Sequence, residues 1–208
     1  MSKELSISAS CIINNNRVYK NEKEIFHAAD LLVQDFLPAV YRHFEIKYPK
    51  FFKMDNLSKL GWLAAEILMQ DSAVTDKYKA EEIGVVLANA SASLDTDIKY
   101  YETARDIASP ALFVYTLPNI VIGEICIRHS IKGENAFFIL NEFDAGFIQE
   151  YVNNLVSNDI FQCCICGWVE LLEAEYKTVL FLVEKNNDES GNAFTKENLN
   201  KIYQLSNG

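Results

Sequence analysis

The sequence predicts an α/β domain: a mixed sheet with a buried central helix and flanking helices. Three observations predict it. Along the 208 residues, strand-like segments alternate with segments of helical periodicity. Half of the residues are hydrophobic, enough to enclose a substantial core. Two apolar segments near the end, Ile160–Leu172 and Lys177–Val183, are parted only by turn residues at Glu173–Glu175, which reads as an antiparallel hairpin closing an otherwise β-α alternation.

Taken in order, the first strand is Leu5–Ile13, and Asn14, Asn15 and Asn16 form a turn. From Glu22 to Phe44 the residues Ile25, Phe26, Ala29, Leu32, Val33, Phe36 and Leu37 recur at helical spacing, so one helix is expected, kinked or broken at Pro38. Asp55 is placed to cap a second helix, Leu57–Gln70, whose buried stripe is Leu60, Leu63, Ala64, Ile67 and Leu68. A polar connection, Asp71–Glu82, leads to strand Ile83–Asn89. The small and hydroxyl residues of Ala90–Thr96, including Ser91 and Ser93, then form a loop at that strand's C-terminal end, where α/β sheets place ligands. Asp95 and Asp97 are suited to cap a helix Asp97–Ile107.

The central helix comes next. Between Pro118 and Gly133, the residues Ile120, Val121, Ile122, Ile125, Cys126 and Ile127 encircle the helix instead of forming a stripe, which predicts burial. Pro118 suits the first turn, Gly123 a close backbone approach, and Gly133 the exit. Ala136–Leu140 reads as a short, fully buried central strand. Ala145–Ser157 is a helix carrying Phe147, Ile148, Tyr151, Val152 and Leu155 at helical spacing. Residues 1–185 are expected to form one domain, and 186–208 a polar linker with a short helix at Thr195–Leu205.

Composition excludes several functions. A formal charge of −10 opposes binding to nucleic acid and to anionic membrane surfaces. No run approaches the roughly 20 apolar residues of a membrane helix, and the opening MSKELSISAS lacks a signal-peptide core, so a cytoplasmic location is expected. The five cysteines, Cys11, Cys126, Cys163, Cys164 and Cys166, are odd in number, and three share one strand, an arrangement that suits neither a disulfide framework nor a metal site. They read as small buried hydrophobes, with Cys163 and Cys164 facing opposite sides of their strand. His27, His43 and His129 lie far in sequence from Cys163, Cys164 and Cys166, and His27 and His43 read as packing or surface residues. No metal and no cofactor is expected.

Specific residues carry a family resemblance. They are Ser109-Pro110 to Pro118-Asn119 and Gly123, in the pattern SP-x7-PN-x3-G; Ile127-Arg128 to Gly133; Asp144-Ala145-Gly146 ahead of an amphipathic helix; and Ile160–Glu170 with the sequence CGWVE. Together with the order of elements they resemble the N-terminal half of β-ketoacyl synthases, the thiolase-fold condensing enzymes. The resemblance extends more weakly to Lys53-Met54-Asp55 and Val85–Ser93 and covers Lys53–Val183. It is similar above all to the short stand-alone forms of type II polyketide clusters for aryl-polyene or flexirubin-type pigments.

The resemblance implies half of a thiolase-like fold. It also implies a departure from the family's chemistry, because the nucleophilic cysteine's position falls on Glu142 or Phe143. The family's catalytic histidines belong to a C-terminal half that this chain is too short to contain. The role implied is that of a non-catalytic accessory protein, a pseudoenzyme of fatty-acid or polyketide biosynthesis. It would pair with itself or with an active ketosynthase through Ala136–Leu140, the strand by which the family dimerises. The candidate pocket comprises Glu142, Phe143, Asp144, Ser91 and Ser93. Two alternatives stay open: an acyl-thioester hydrolase or decarboxylase using Glu142, Ser91 or Ser93, and a module binding acyl carrier protein through Lys47, Lys50 and Lys53. Glu142 and Asp144 read first as acids at a helix N-terminus, ahead of any catalytic role.

Overall fold

The computed structural model describes residues 5–185 and 192–205. Its strands are β1 (Leu5–Asn14), β2 (Arg17–Lys20), β3 (Lys23–His27), β4 (Ile83–Asn89), β5 (Asn135–Ile139), β6 (Cys163–Leu172), β7 (Glu175–Lys185) and β8 (Asn192–Ala193). Its helices are α1 (Val33–His43), α2 (Asn56–Met69), α3 (Val74–Lys77), α4 (Leu94–Ala104), α5 (Pro110–Phe113), α6 (Ile120–His129), α7 (Ala145–Ser157) and α8 (Lys196–Gln204). The expected linker falls largely on residues outside the described ones.

All strands join one mixed sheet in the order β3-β2-β1-β7-β6-β4-β5, with β8 added to the start of β1. The pairs β4–β5 and β4–β6 are parallel, and the remaining pairs are antiparallel. Alternation along the strands builds two cores. Cys11, Ile13, Cys163, Ile165, Leu180 and Leu182 face α1, α2 and α6. Ile12, Cys164, Cys166, Val179 and Phe181 face α7 and α8. The fold is therefore three layers, helix on sheet on helix, as expected. Cysteines 11, 163, 164 and 166 are buried, and 163 and 164 lie on opposite faces.

The hairpin β6–β7 forms as read, with Leu172 opposite Glu175. Within it stands Gly167, whose φ of +147° and position, with a Cβ 2.0 Å from the Val179 carbonyl oxygen, exclude any side chain. Asp55 caps α2, its Oδ1 accepting from the Ser58 N–H at 2.9 Å.

Several local expectations are corrected. The segment from Glu22 to Phe44 is not one helix. Asn21 and Glu22 both adopt positive φ, forming the two-residue turn of a β2–β3 hairpin, and the helix begins only at Val33. Pro38 lies within α1 and does not end it. The helix expected at Asp97–Ile107 runs from Leu94 to Ala104, because Asn89 clamps both backbone groups of Ala92 and closes the loop early. Asp95 and Asp97 lie in its first turn instead of at the cap, which is Ser93.

The helix enclosed on nearly every side is α2, where Leu57, Trp62, Ala65 and Met69 are buried as well as the predicted stripe. By contrast α6 buries Val121, Ile122, Glu124 and Ile125 and leaves Ile127 64% exposed. The close approach between α2 and α6 is made at Gly61, where a Cβ would stand 2.5 Å from Val121 Cγ2, while Gly123 faces open space. Pro118 precedes the first helical residue, Ile120, by two positions, and the left-handed residue ending α6 is Ser130, not Gly133. Finally, β5 is an edge strand, not a central one. It pairs with β4 alone among the described strands, and none of its residues is fully buried.

Candidate functional site

The parallel strands β4, β5 and β6 end on the same side of the sheet, the place where such sheets hold ligands. A cavity of about 540 Å³ opens there, lined by Ala90, Glu142, Phe143, Trp168, Glu170, Tyr176, Lys177 and Tyr203 among others. Each wall has a local cause. The β6–β7 register places Glu170 opposite Lys177. Glu170 Oε2 accepts from the backbone N–H groups of Ala90 (2.6 Å) and Ser91 (3.3 Å), tying down the loop after β4. Glu170 Oε1 is buried with no hydrogen-bond partner among the described residues. From α8, Tyr203 stacks flat on Phe143, centroids 4.2 Å apart and planes 9° apart, and Trp168 meets Phe143 edge-on. Lys177 Nζ lies 3.8 Å from the centroid of the Tyr203 ring and donates to the Tyr203 carbonyl oxygen at 2.8 Å.

Burial governs the electrostatics. It pulls the Lys177 ammonium down to a pKa of about 8. It pushes the Tyr203 phenol up, and the carboxylates of Glu170 and Glu142 add to that shift.

Of the residues singled out in the sequence, Glu142 and Phe143 line this cavity, Glu142 exposed and Phe143 half-buried. Asp144 caps α7, its Oδ1 accepting from the Phe147 N–H at 3.0 Å. Ser91 reaches the site through its backbone alone. Ser93 is turned away, its buried hydroxyl between Asp97 Oδ2 (3.1 Å) and the Thr116 carbonyl (3.0 Å). Sequence reasoning missed Glu170, Lys177, Trp168 and Tyr203 as site residues. The alternation of β6 and β7 was the available signal for the first two; nothing in the sequence ties Tyr203 to Phe143.

The histidines stand elsewhere. His43 packs on Phe26, and His129 Nε2 lies 3.0 Å from Glu66 Oε1 beside the bidentate Arg128–Glu66 pair. None of the three lines the cavity. Its titratable groups are therefore carboxylates, the phenols of Tyr176 and Tyr203, and an amine of lowered basicity. Among the described residues no group of histidines, cysteines and acids is arranged to hold a metal ion.

A second feature is apolar and exposed. The outward edge of β5 carries Ile139, 51% exposed, with Phe137 and Phe138 half-buried. The helix α4 is inverted: Asp95 and Thr96 are buried, while Leu94, Ile98 and Tyr101 face outward, Tyr101 at 65% exposure. Asp95 accepts from the Glu173 N–H and pairs with Lys99, and Thr96 donates to Asp55 Oδ2 at 2.6 Å. Phe113, Val114 and Leu117 extend the exposed face, Phe113 meeting Tyr100 at 5.5 Å.

No protein-family model and no curated protein matches the chain. Solved structures match it in shape. A chain of the ishigamide ketosynthase/chain length factor superposes with a TM-score of 0.64 at 16% identity, over 90% of this chain and 64% of that one. A chain of AntDE:AntF, a type II PKS acyl-carrier protein in complex with its ketosynthase, gives 0.60 at 14% identity, over 88% and 64%. A chain of the ketosynthase ApeO in complex with its chain length factor ApeC, from Xenorhabdus doucetiae, gives 0.58 at 10% identity, over 99% and 92%. The fold is thus the thiolase-type fold of ketosynthases and chain length factors, and the chain spans 64% of the length of the first two. Among the described residues no helix is long and apolar enough to cross a membrane.

Proposed function

We propose that this protein is a non-catalytic, ketosynthase-like subunit that pairs with an active condensing enzyme of a polyketide or fatty-acid pathway. The observation that carries the reading is the bare apolar edge of β5. Such an edge offers a row of unpaired backbone groups and is an aggregation hazard unless a partner strand covers it. The exposed apolar face of α4 and α5 supports a further area of contact, since contiguous exposed apolar surface marks interaction sites. Glu142-Phe143 at the turn into α7 supports the absence of condensation, which requires a thiolate nucleophile. Two of the matched structures are described as ketosynthases with chain length factors. The same reading leaves room for acyl carrier protein at Lys47 and Lys53, both exposed; Lys50 is engaged with Glu124 at 2.7 Å.

Co-expression with a ketosynthase that carries its nucleophilic cysteine, followed by size-exclusion chromatography with light scattering, tests the pairing. A stable complex is expected, and Ile139→Pro, which removes an outward-facing N–H, or Ile139→Lys should abolish it by blocking the edge. A wild-type protein that stays monomeric alone and in the presence of that ketosynthase would sink the proposal.

A further inference from the structure

After β4 the chain leaves the body of the fold between two fixed posts. At the first, the Asn89 side chain bonds both backbone groups of Ala92, at 2.8 and 3.0 Å, and Glu170 holds the N–H groups of Ala90 and Ser91. At the second, Tyr115 is buried and donates to Glu124 Oε1 at 3.3 Å. From 97 to 114, between these posts, no residue is buried and none packs against either core. Among the described residues, the hydrogen bonds, ion pairs and ring contacts of this stretch all stay within 93–116. Lys99 pairs with Asp95, the Ser109 N–H donates to Thr103 Oγ1 at 3.1 Å, and Tyr100 meets Phe113. So α4 and α5 hold to each other. Their side-chain ties to the rest of the protein come from two buried residues in the first turn of α4. The Thr96 hydroxyl donates to Asp55 Oδ2 at 2.6 Å, and Asp95 Oδ1 accepts from the Glu173 N–H at 3.1 Å. A stretch without core contacts, fastened at so few points, belongs to the low end of local stability.

We infer that residues 97–114 form a latched arm, which swings off the body as one unit while both cores stay folded, and that the Thr96–Asp55 hydrogen bond is its latch. Opening uncovers little apolar surface, because Ile98, Tyr101, Ile107 and Phe113 already face solvent. What opening gives up is polar, and water replaces it. Asp55 divides its two oxygens between a permanent bond and a breakable one. Its Oδ1 caps α2 in either state, while its Oδ2 is bonded to the arm only when the arm is closed. Without the Thr96 hydroxyl, the closed arm would leave that carboxylate oxygen buried and unpaired, a cost that opening relieves. The arm is also a wall. Asp95, Ile98, Lys99 and Glu102 of α4 line one side of a cavity of about 860 Å³, which faces Leu32 and Val33 at the start of α1. Release of the latch therefore widens that cavity, and closure narrows it.

The inference does not rest on the pairing through β5, and its test is read on the full chain alone, by residue-resolved amide hydrogen exchange. The amides of 98–104 should exchange at least roughly tenfold faster than the central amides of α2, and at one common level of protection. Their exchange should depend only weakly on low urea concentrations, since opening exposes little surface, whereas that of α2 should depend on it steeply. Thr96→Val keeps the shape of the side chain without its hydroxyl. It should speed exchange across 98–104 together by about tenfold, the loss expected of a hydrogen bond to a charged group. Thr96→Ser restores the donor and should return the rates to within about twofold of the wild type. If Thr96→Val does not fold, the wild-type rates and their urea dependence decide alone. Exchange of 98–104 less than about tenfold faster than α2 overturns the inference, as does a gradient of fraying from Ala104 that ignores Thr96→Val.

Discussion

Gly167 shows how one residue holds the centre of the sheet. Its φ of +147° lies where side chains are strained, and a Cβ would press on the Val179 carbonyl of the neighbouring strand. Gly167→Ala is therefore expected to destabilise the fold by about 2–4 kcal/mol, read as a lowered urea midpoint. At this scale the sequence was legible wherever the chemistry is local. Asp55, Asp144 and Thr195 each accept from a backbone N–H three residues on, and short side chains before an apolar helix announce that bond. The strand cysteines Cys163, Cys164 and Cys166 were legible for the same reason, since their alternation follows from the strand itself, whereas Cys126, expected to be buried, is half-buried on α6. The cavity was not. Glu170, Lys177 and Tyr203 come from three elements, and their meeting depends on a hairpin register and on where α8 docks, neither of which is local information.

Among the elements, α4 is the one whose pattern opposes its setting. A helix at a protein surface ordinarily buries its apolar stripe. Here the buried positions are polar and tied to Asp55, Glu173 and Lys99, while Leu94, Ile98 and Tyr101 point outward. Replacing Ile98 and Tyr101 by glutamate should leave the unfolding midpoint nearly unchanged, within about 0.5 kcal/mol, because surface positions carry little stability. The same double variant should weaken capture of the ketosynthase partner in a pull-down; undiminished capture would remove α4 from the proposed interface. The β2–β3 hairpin shows the opposite failure of legibility. Its turn is Asn21-Glu22 and not a glycine pair, so no turn signal interrupted the apparent helical spacing of Ile25 and Phe26 with the residues of α1. The strand Ala136–Leu140 looked central because it is apolar on both faces. Apolarity records that a strand avoids water, and it does not record how many neighbours the strand has within its own chain.

At the scale of the molecule, the two cores respond together to pH. Burial pushes the thiol of Cys11 up from 9.0 to about 12, and those of Cys163 and Cys164 well above the ordinary value. Groups whose pKa is raised on folding add stability that is complete below the unfolded value and is lost as pH climbs toward the folded one. Lys177 acts in the reverse sense: its lowered pKa costs stability below about 8, a cost relieved as pH rises to 10.5. Lys59, its ammonium also lowered by burial, acts as Lys177 does, and the three fully buried thiols outweigh these two half-buried amines. The urea midpoint should therefore fall between pH 9 and pH 11, and a midpoint that rose over that range would contradict the burial of the thiols. The layered architecture itself was legible, because alternation of strands and helices leaves few other ways to bury both faces of a sheet.

The sheet also fixes an order of events in time. The strand β1 lies between the short β2 and β7, so its long neighbour is supplied by residues 175–185. During synthesis at roughly 5–20 residues per second, that neighbour emerges on the order of ten seconds after β1. Until then Ile12 and Ile13, buried in the finished molecule, belong to a hairpin with one open side. Pairings this distant in sequence also slow folding in free solution. Nascent chains cut before β7 should thus remain protease-sensitive throughout, and protection should appear in a single late step once the first and last long strands meet.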